Sequence, residues 1–316
     1  MDVVTFGESM VLFTPATEGT SLQFSHSFEK TIGGSESNVA IALSRLGVQV
    51  GWISRLGDDD FGRYILHYVR GEGIDTRQVV LDANKQTGVF FKERVNETDS
   101  KVFYYRKDSA ASFLSPDDLS ASYIGSAKFL HLTGITPALS ESCRQATHHA
   151  LRLAKKYKVT TVFDPNIRLK LWSEDEARKE LLSIASQCDI VMPGLEEGSL
   201  LTEEQHPEKI AQVLIRNGAK LVVIKLGEAG AFYSDGTHAE TIPGYPVDRI
   251  VDSVGAGDGF MAGFLTGLLR KWDYRKSIQL ANRIGAFALT VKGDVEGYPY
   301  WSSVDDVALI RKEIYR

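Results

Sequence analysis

The sequence predicts an α/β fold with a mostly parallel sheet, and three observations predict it. Short apolar β-type runs alternate with helix-like runs along most of the chain, the pattern of βαβ units. Asp252-Ser253-Val254-Gly255-Ala256-Gly257-Asp258-Gly259-Phe260 is a small-residue turn running straight into an apolar helix. Residues 88–106 break the alternation with two aromatic β-type runs around a polar loop, an antiparallel hairpin set into a parallel design. With 316 residues, 43% hydrophobic and 24% charged, the composition is that of an ordinary globular protein, of a size that one α/β domain often reaches.

In order, Val3–Phe6 is the first strand, closed by Gly7-Glu8, and residues 11–32 hold short β-prone pieces without helical period. Gly33-Gly34-Ser35-Glu36-Ser37-Asn38 leads into the apolar helix Val39–Leu46, with Gly47 where a helix C-terminus takes glycine. The paired glycines suit either a tight turn or a close backbone approach to a small ligand. Val48–Ser54 reads as a strand and Asp58–Arg70 as a helix. In the hairpin, Val89–Arg94 and Val102–Arg106 flank the loop Asn96–Lys101. Alternation places Val102, Tyr104 and Arg106 on one face and Phe103 and Tyr105 on the other. That arrangement fits a lid, with one face over a ligand and one against a partner subunit; an ordinary edge hairpin fits as well.

Regular alternation resumes with the strand Lys128–Leu132 and the helix Ser140–Tyr157, where the adjacent His148 and His149 do not share a face. The strand Val159–Phe163 ends in Asp164–Trp172, which carries Asp164, Asn166 and Arg168 where open α/β sheets bind ligands. Ser173–Glu176 is a capping box opening the next helix. After the strand Asp189–Met192, Glu196 and Glu197 suit either water-mediated Mg²⁺ binding or the first turn of a helix. Leu221–Gly227 gives one more strand and turn, and Gly230 leads into Ala231-Phe232-Tyr233. The helix Asp258–Arg270 carries Gly259, Gly263 and Gly267. Each glycine costs about 1 kcal/mol against alanine, which is tolerable where neighbours pack close. A long helix covers Tyr274–Val291, and Lys292–Gly297 forms a polar turn.

A net charge of −5 and a pI near 5.9 give no electrostatic reason to expect nucleic acid. No apolar run approaches the ~20 residues of a membrane helix. Met1-Asp2 leads directly into the first strand, leaving no room for a signal peptide. Cys143 and Cys188 are far apart without CxxC spacing and suit a reduced compartment. The expectation is a cytoplasmic protein with neither nucleic-acid nor membrane partners.

Gly255, Ala256 and Gly257 lack bulk, so their N–H groups can converge on a ligand, and the following helix adds the positive end of its dipole. This is an anion site, most simply for phosphate. Asp258 follows on the first helical turn. A capping role explains an Asp there but not three small residues before it. A base beside a phosphate cradle suits deprotonation of a hydroxyl as it attacks phosphorus. A dinucleotide fingerprint needs a small residue where Phe260 stands and an acid about twenty residues on; neither is present, nor is a GxxxxGK[ST] loop.

Together these residues resemble the ribokinase-like (pfkB) carbohydrate kinases over essentially the whole chain. Gly33-Gly34 and its helix are similar to that family's first signature. Asp252–Phe260 is similar to the second, with Ser253 where threonine is usual. Within the family, similarity is closest to the 2-keto-3-deoxygluconate kinases, through Gly7-Glu8, the hairpin, Leu132–Pro137, Asp164–Trp172 and Gly293–Gly297. The resemblance implies one ribokinase-like three-layer α/β/α domain over 1–316, with a mostly parallel central sheet and a small β-lid from about 11–32 and 88–106. It implies transfer of phosphate from ATP to the terminal C6 hydroxyl of 2-keto-3-deoxygluconate.

By the same resemblance Asp258 is the base, supported by Gly255, Ala256 and Gly257. Gly33, Gly34, Asn38, Phe90, Tyr104, Arg106, Arg168, Asp258 and Asp294 would meet the sugar acid, with Phe90 where tyrosine is common. Arg106 and Arg168 suit a carboxylate by their own chemistry too. Asn166, Arg168, Lys225, Gly227, Gly230, Gly255–Gly257 and Asn282 would hold ATP, Asn282 near the adenine. Mg²⁺ accompanies ATP, with Glu197 reaching it through water; the family's Asn-x-x-Glu falls on Gly194–Glu197 and lacks its asparagine. A monovalent cation such as K⁺, an activator in parts of the family, and a homo-oligomer formed through the lid also enter as expectations. The alternatives are a kinase of fructose, ribose or a related sugar acid, and a non-catalytic sugar-acid sensor. A dehydrogenase is disfavoured by the failed dinucleotide pattern.

Overall fold

The structure, a computed structural model, describes residues 1–17, 19–94 and 100–304; most of the expected loop Asn96–Lys101 lies outside the described residues. The chain runs β1 (Val3–Phe6), β2 (Met10–Pro15), β3 (Phe28–Gly33), α1 (Ser35–Arg45), β4 (Val50–Gly57), α2 (Asp60–Gly71), β5 (Val79–Asp82), β6 (Val89–Arg94) and β7 (Ser100–Tyr105). It continues through α3 (Ala121–Gly125), β8 (Phe129–Thr133), α4 (Ile135–Leu139), α5 (Glu141–Tyr157), β9 (Thr160–Asp164), α6 (Glu174–Ala185), β10 (Ile190–Val191), α7 (Leu195–Thr202) and α8 (Pro207–Arg216). The last elements are β11 (Leu221–Lys225), β12 (Ala231–Ser234), β13 (Ala239–Ile242), α9 (Ala256–Leu269) and α10 (Tyr274–Ala288).

Nine strands form the central sheet in the order β13-β12-β11-β10-β9-β8-β1-β4-β5. It is parallel except for the edge pairs β11–β12 and β12–β13. Its central strands are apolar on both faces, as a sheet covered twice requires. Val3, Val162, Leu221 and Val223 face the layer of α1, α2, α9 and α10. Val4, Phe163, Val222 and Ile224 face the layer of α5, α6 and α8. The expected three-layer α/β/α fold is therefore present. The strand order reverses between β1 and β8, and crevices at such switch points are where open sheets bind ligands.

A second sheet, ordered β3-β2-β6-β7, is built from the segments 11–32 and 88–106 expected to form a lid. Its pairing sets Phe90 opposite Tyr104 and Lys92 opposite Val102. Phe103 and Tyr105 on the opposite face are exposed. The α9 glycines have the expected cause. A Cβ on Gly263 would lie 2.7 Å from Ala281 Cα, and one on Gly267 2.7 Å from Ser277 Cα, so α9 and α10 pack nearly backbone to backbone. Among the described residues, no helix is long and apolar enough to cross a membrane.

Some elements differ from expectation. Helix α1 begins at Ser35, so Ser35–Asn38 form its first turn and are buried. The edge strands β5 and β13 and the short helices α3 and α4 were not anticipated. Of the doubled histidines, His148 pairs through Nε2 with Glu180 at 2.7 Å. Lys155–Lys158 is a solvated helix end, and Cys143 and Cys188 are free and buried.

Candidate active site

Helices α1 and α9 lie in the same layer and bring their N-terminal turns together beside the switch point. Gly255, in the left-handed region at φ 81°, turns the chain into α9, and no side chain caps that helix. The first N–H groups of a helix have no intrahelical acceptor, so those of 255–257 are available to an anion. A Cβ on Gly255 would lie 2.2 Å from the Asp294 carbonyl oxygen, which fixes glycine at the bend.

Asp258 is not a cap. Ser35 Oγ donates to its Oδ1 at 2.6 Å and Asn38 Nδ2 to its Oδ2 at 2.9 Å. Asn166 Nδ2 in turn donates to Ser35 Oγ at 2.8 Å, so the first turn of α1 and the loop after β9 together orient one carboxylate. Burial pushes its pKa up to about 6; Ser35, Asn38 and the Lys225 ammonium work against that rise, while Asp164 adds to it.

Two cavities of about 380 and 800 Å³ meet at the anion loop, both within the roughly 300–1,000 Å³ typical of small-molecule sites. They share Lys225, Ser253 and Gly257. The larger is lined by Gly227, Gly230, Ala256, Phe260 and Asn282, the expected nucleotide side. Asn282 Nδ2 donates to the Pro243 carbonyl at 2.8 Å. Lys225 Nζ donates to Asp164 Oδ2 at 2.7 Å. Burial opposes the lysine's charge, but Asp164, Glu197 and Asp258 outweigh it and hold its pKa above the usual value.

The smaller cavity is lined by Gly34, Asn38, Phe90, Tyr104, Arg106, Asn166, Arg168, Asp258 and Asp294, so the expected sugar contacts converge there. Gly33 lies just behind: a Cβ on it would meet Asp294 Oδ2 and Phe90 Cζ at 2.6 Å. Gly34 packs on the Glu8 carbonyl, where a Cβ would come within 2.3 Å. Phe90 stacks on Tyr104 with centroids 5.6 Å apart. Burial pushes Asp294 up to about 7, against the pull of Lys92.

The two arginines differ. Arg106 forms an ion pair with Glu8, a carboxylate buried after β1, while still lining the smaller cavity. Arg168 is exposed at the cavity mouth; its Nη1 donates to the Ile167 carbonyl, and no carboxylate pairs with it among the described residues.

Three further residues stand in the cavity wall: Lys92, Glu36 and Glu8. The hairpin alternation could have found Lys92, two positions after Phe90 on an aromatic strand. Glu36 is fully buried, accepts from Thr133 Oγ1 at 2.6 Å and Thr136 Oγ1 at 2.7 Å, and is pushed by burial up to about 7.

No group of three or more His, Cys, Asp or Glu residues suited to a metal occurs among the described residues. Both Glu197 oxygens accept main-chain N–H groups, Oε1 from Ile167 and Oε2 from Gly194. Such a donor set fits Mg²⁺ held mainly by water and phosphate rather than a protein cage.

Uncapped main-chain N–H groups at a helix start, a buried carboxylate beside them and cavities on either side suit a phosphotransferase that acts on an alcohol. The family model for pfkB family carbohydrate kinases matches residues 1–300, and the chain belongs to that family. It is 41% identical to the 2-dehydro-3-deoxygluconokinase of Bacillus subtilis over 95% of this chain and 93% of that one. It is 35% identical to fructokinase-1 of Zea mays, covering 94% of each chain. A ribokinase-like protein of E. coli, solved in complex with ATP and Mg²⁺, superposes with a TM-score of 0.91 at 27% identity, covering 98% of this chain and 99% of that one. The protein is a carbohydrate kinase with the ribokinase-like fold.

Proposed function

We propose that the enzyme transfers the γ-phosphoryl group of ATP to the C6 hydroxyl of 2-keto-3-deoxygluconate, giving the 6-phosphate and ADP. The observation that carries the sugar-acid reading is Arg168, a guanidinium with no carboxylate partner among the described residues, at the mouth of a cavity whose other arginine is already matched by Glu8. A carboxylate on the substrate suits it, and a neutral sugar leaves it unused. The identity to the Bacillus enzyme points the same way.

Phe90, Tyr104, Asn38 and Asp294 line the sugar side and orient the acceptor hydroxyl toward Asp258. As the hydroxyl oxygen bonds to the γ-phosphorus, its proton passes to the Asp258 carboxylate and the bond to the β-phosphate oxygen breaks. The N–H groups of 255–257 and the Lys225 ammonium stabilise charge on the transferring group. Asn166, Gly227, Gly230 and Asn282 hold the nucleotide. Glu197 and Asp164 would hold Mg²⁺ through water, and the ion would supply charge neutralisation to the phosphates when bound.

The whole of 1–316 is one ribokinase-like domain in this reading, with the second sheet as its lid. Phe28, Phe103 and Tyr105, exposed on that sheet, would pack against a second copy. Sedimentation of the wild type and of Tyr105→Asp tests this; a monomeric wild type would reject it. Two buried free thiols and dependence on ATP suit the cytoplasm.

The deciding assay is coupled ADP formation with 2-keto-3-deoxygluconate, fructose, ribose and gluconate. Highest kcat/KM on the keto acid is expected. A preference for fructose would overturn the substrate, and no ADP from any sugar would favour a sensor.

A further inference from the structure

Strand β6 carries a lysine on the face that looks into the site. Lys92 is only 5% exposed; its Nζ donates to Asp252 Oδ2 and lies 3.8 Å from Asp294 Oδ1. Both carboxylates belong to the machinery around the anion loop. Asp252 accepts from the main-chain N–H of Val254 and of Gly293, each at 3.2 Å, and so ties the approach to Gly255 to the 292–297 turn. Asp294 faces the sugar cavity, and its carbonyl packs on Gly255. Its Oδ1 is buried and has no hydrogen bond among the described residues, and the Lys92 ammonium is a polar neighbour. Two residues earlier, the same strand presents Phe90, stacked on Tyr104 over that cavity.

We propose that Lys92 is a positioning residue that couples the seating of the hairpin over the sugar to the ordering of the anion loop. With the hairpin seated, the ammonium lies between two buried carboxylates and lets the 252–255 segment and the 292–297 turn pack together. With it withdrawn, Asp252 and Asp294 face one another unneutralised, a costly arrangement in a buried site, and the bend at Gly255 loses its support. The sugar thereby acts on the geometry of phosphate binding through a strand that touches both. The inference rests on the sugar-and-nucleotide reading of the two cavities.

The test uses Lys92→Met, Lys92→Arg and Lys92→Ala. Misplacement of the loop by about 1 Å costs on the order of 10²-fold, so Lys92→Met should lower kcat by about that factor with little change in KM for the sugar. Lys92→Arg should recover most of the loss. Ammonium or methylammonium ions should restore activity to Lys92→Ala and leave the wild type unchanged. A kcat within about threefold of wild type in Lys92→Met overturns the proposal, as do equal losses in all three variants without rescue by amines.

Hydrogen exchange with ATP and Mg²⁺ alone gives a second readout that needs no sugar. In the wild type, protection should appear at 252–257 and spread to 89–93; in Lys92→Met it should stop at the loop. Hairpin protection that persists in Lys92→Met, or is missing from the wild type, refutes the coupling. Failure of the substrate reading would instead show as a wild type that makes no ADP from any sugar while the exchange result stands.

Discussion

Asp258→Asn should weaken catalysis and strengthen the fold together. The pKa of Asp258 rises from 3.8 to about 6 on folding, chiefly through burial. At about 1.4 kcal/mol per unit, ionising it in place costs roughly 3 kcal/mol. A folded pKa above the unfolded value means that this cost is absent below pH 3.8, grows as pH rises and is complete above about 6. Asparagine keeps the shape and never ionises. Ser35 can still donate to its oxygen, and Asn38, whose Oδ1 has no partner among the described residues, can turn its amide to accept from the new NH₂ group. Urea unfolding at pH 8 should show the variant more stable by about 1–3 kcal/mol, with the gain vanishing near pH 4. Turnover in the coupled assay should fall by about 10²–10⁴-fold. Wild-type kcat/KM should climb with pH to a plateau above about 6, a limb missing from the variant. A variant no more stable than wild type at pH 8, or one whose turnover stays within about tenfold, would refute the account of this carboxylate.

The remaining predictions concern the surroundings. Glu36→Gln removes a buried acid raised from 4.5 to about 7, so it should stabilise the fold in urea at pH 8 and change little at pH 4. Arg168→Ala should raise KM for 2-keto-3-deoxygluconate by more than its effect on a neutral sugar; equal effects would remove the carboxylate from the picture. Gly263→Val drives a side chain into Ala281 Cα and should lower stability by about 1–3 kcal/mol or more, read as a drop in Tm.

The layered fold was legible because β1, β8, β9 and β11 are short apolar runs separated by helical stretches, and burial on both faces leaves that imprint in any sequence. The start of α1 was not, because Ser35–Asn38 are polar residues buried for their contacts, and such a run reads as a loop. Strands β5 and β13 are edge strands, one half-exposed and one partly so, with too little burial to impose a pattern. At the site, the small-residue turn at 255–257 and the place of Asp258 beside it were legible from residue size and order. The pairing of Arg106 with Glu8 was not, since it joins residues far apart in the chain. Lys92 lay between these cases: its face followed from alternation, but its two acidic partners required the fold.

The near-contact of α9 and α10 has a consequence for what the enzyme can accept. With Ala281 against Gly263 and Ser277 against Gly267, the two helices form a single strut, one end bearing the anion loop and the other element bearing Asn282. On the proposed reading of the larger cavity, the span between those two points sets the length of donor that fits, because close packing keeps one helix from sliding past the other.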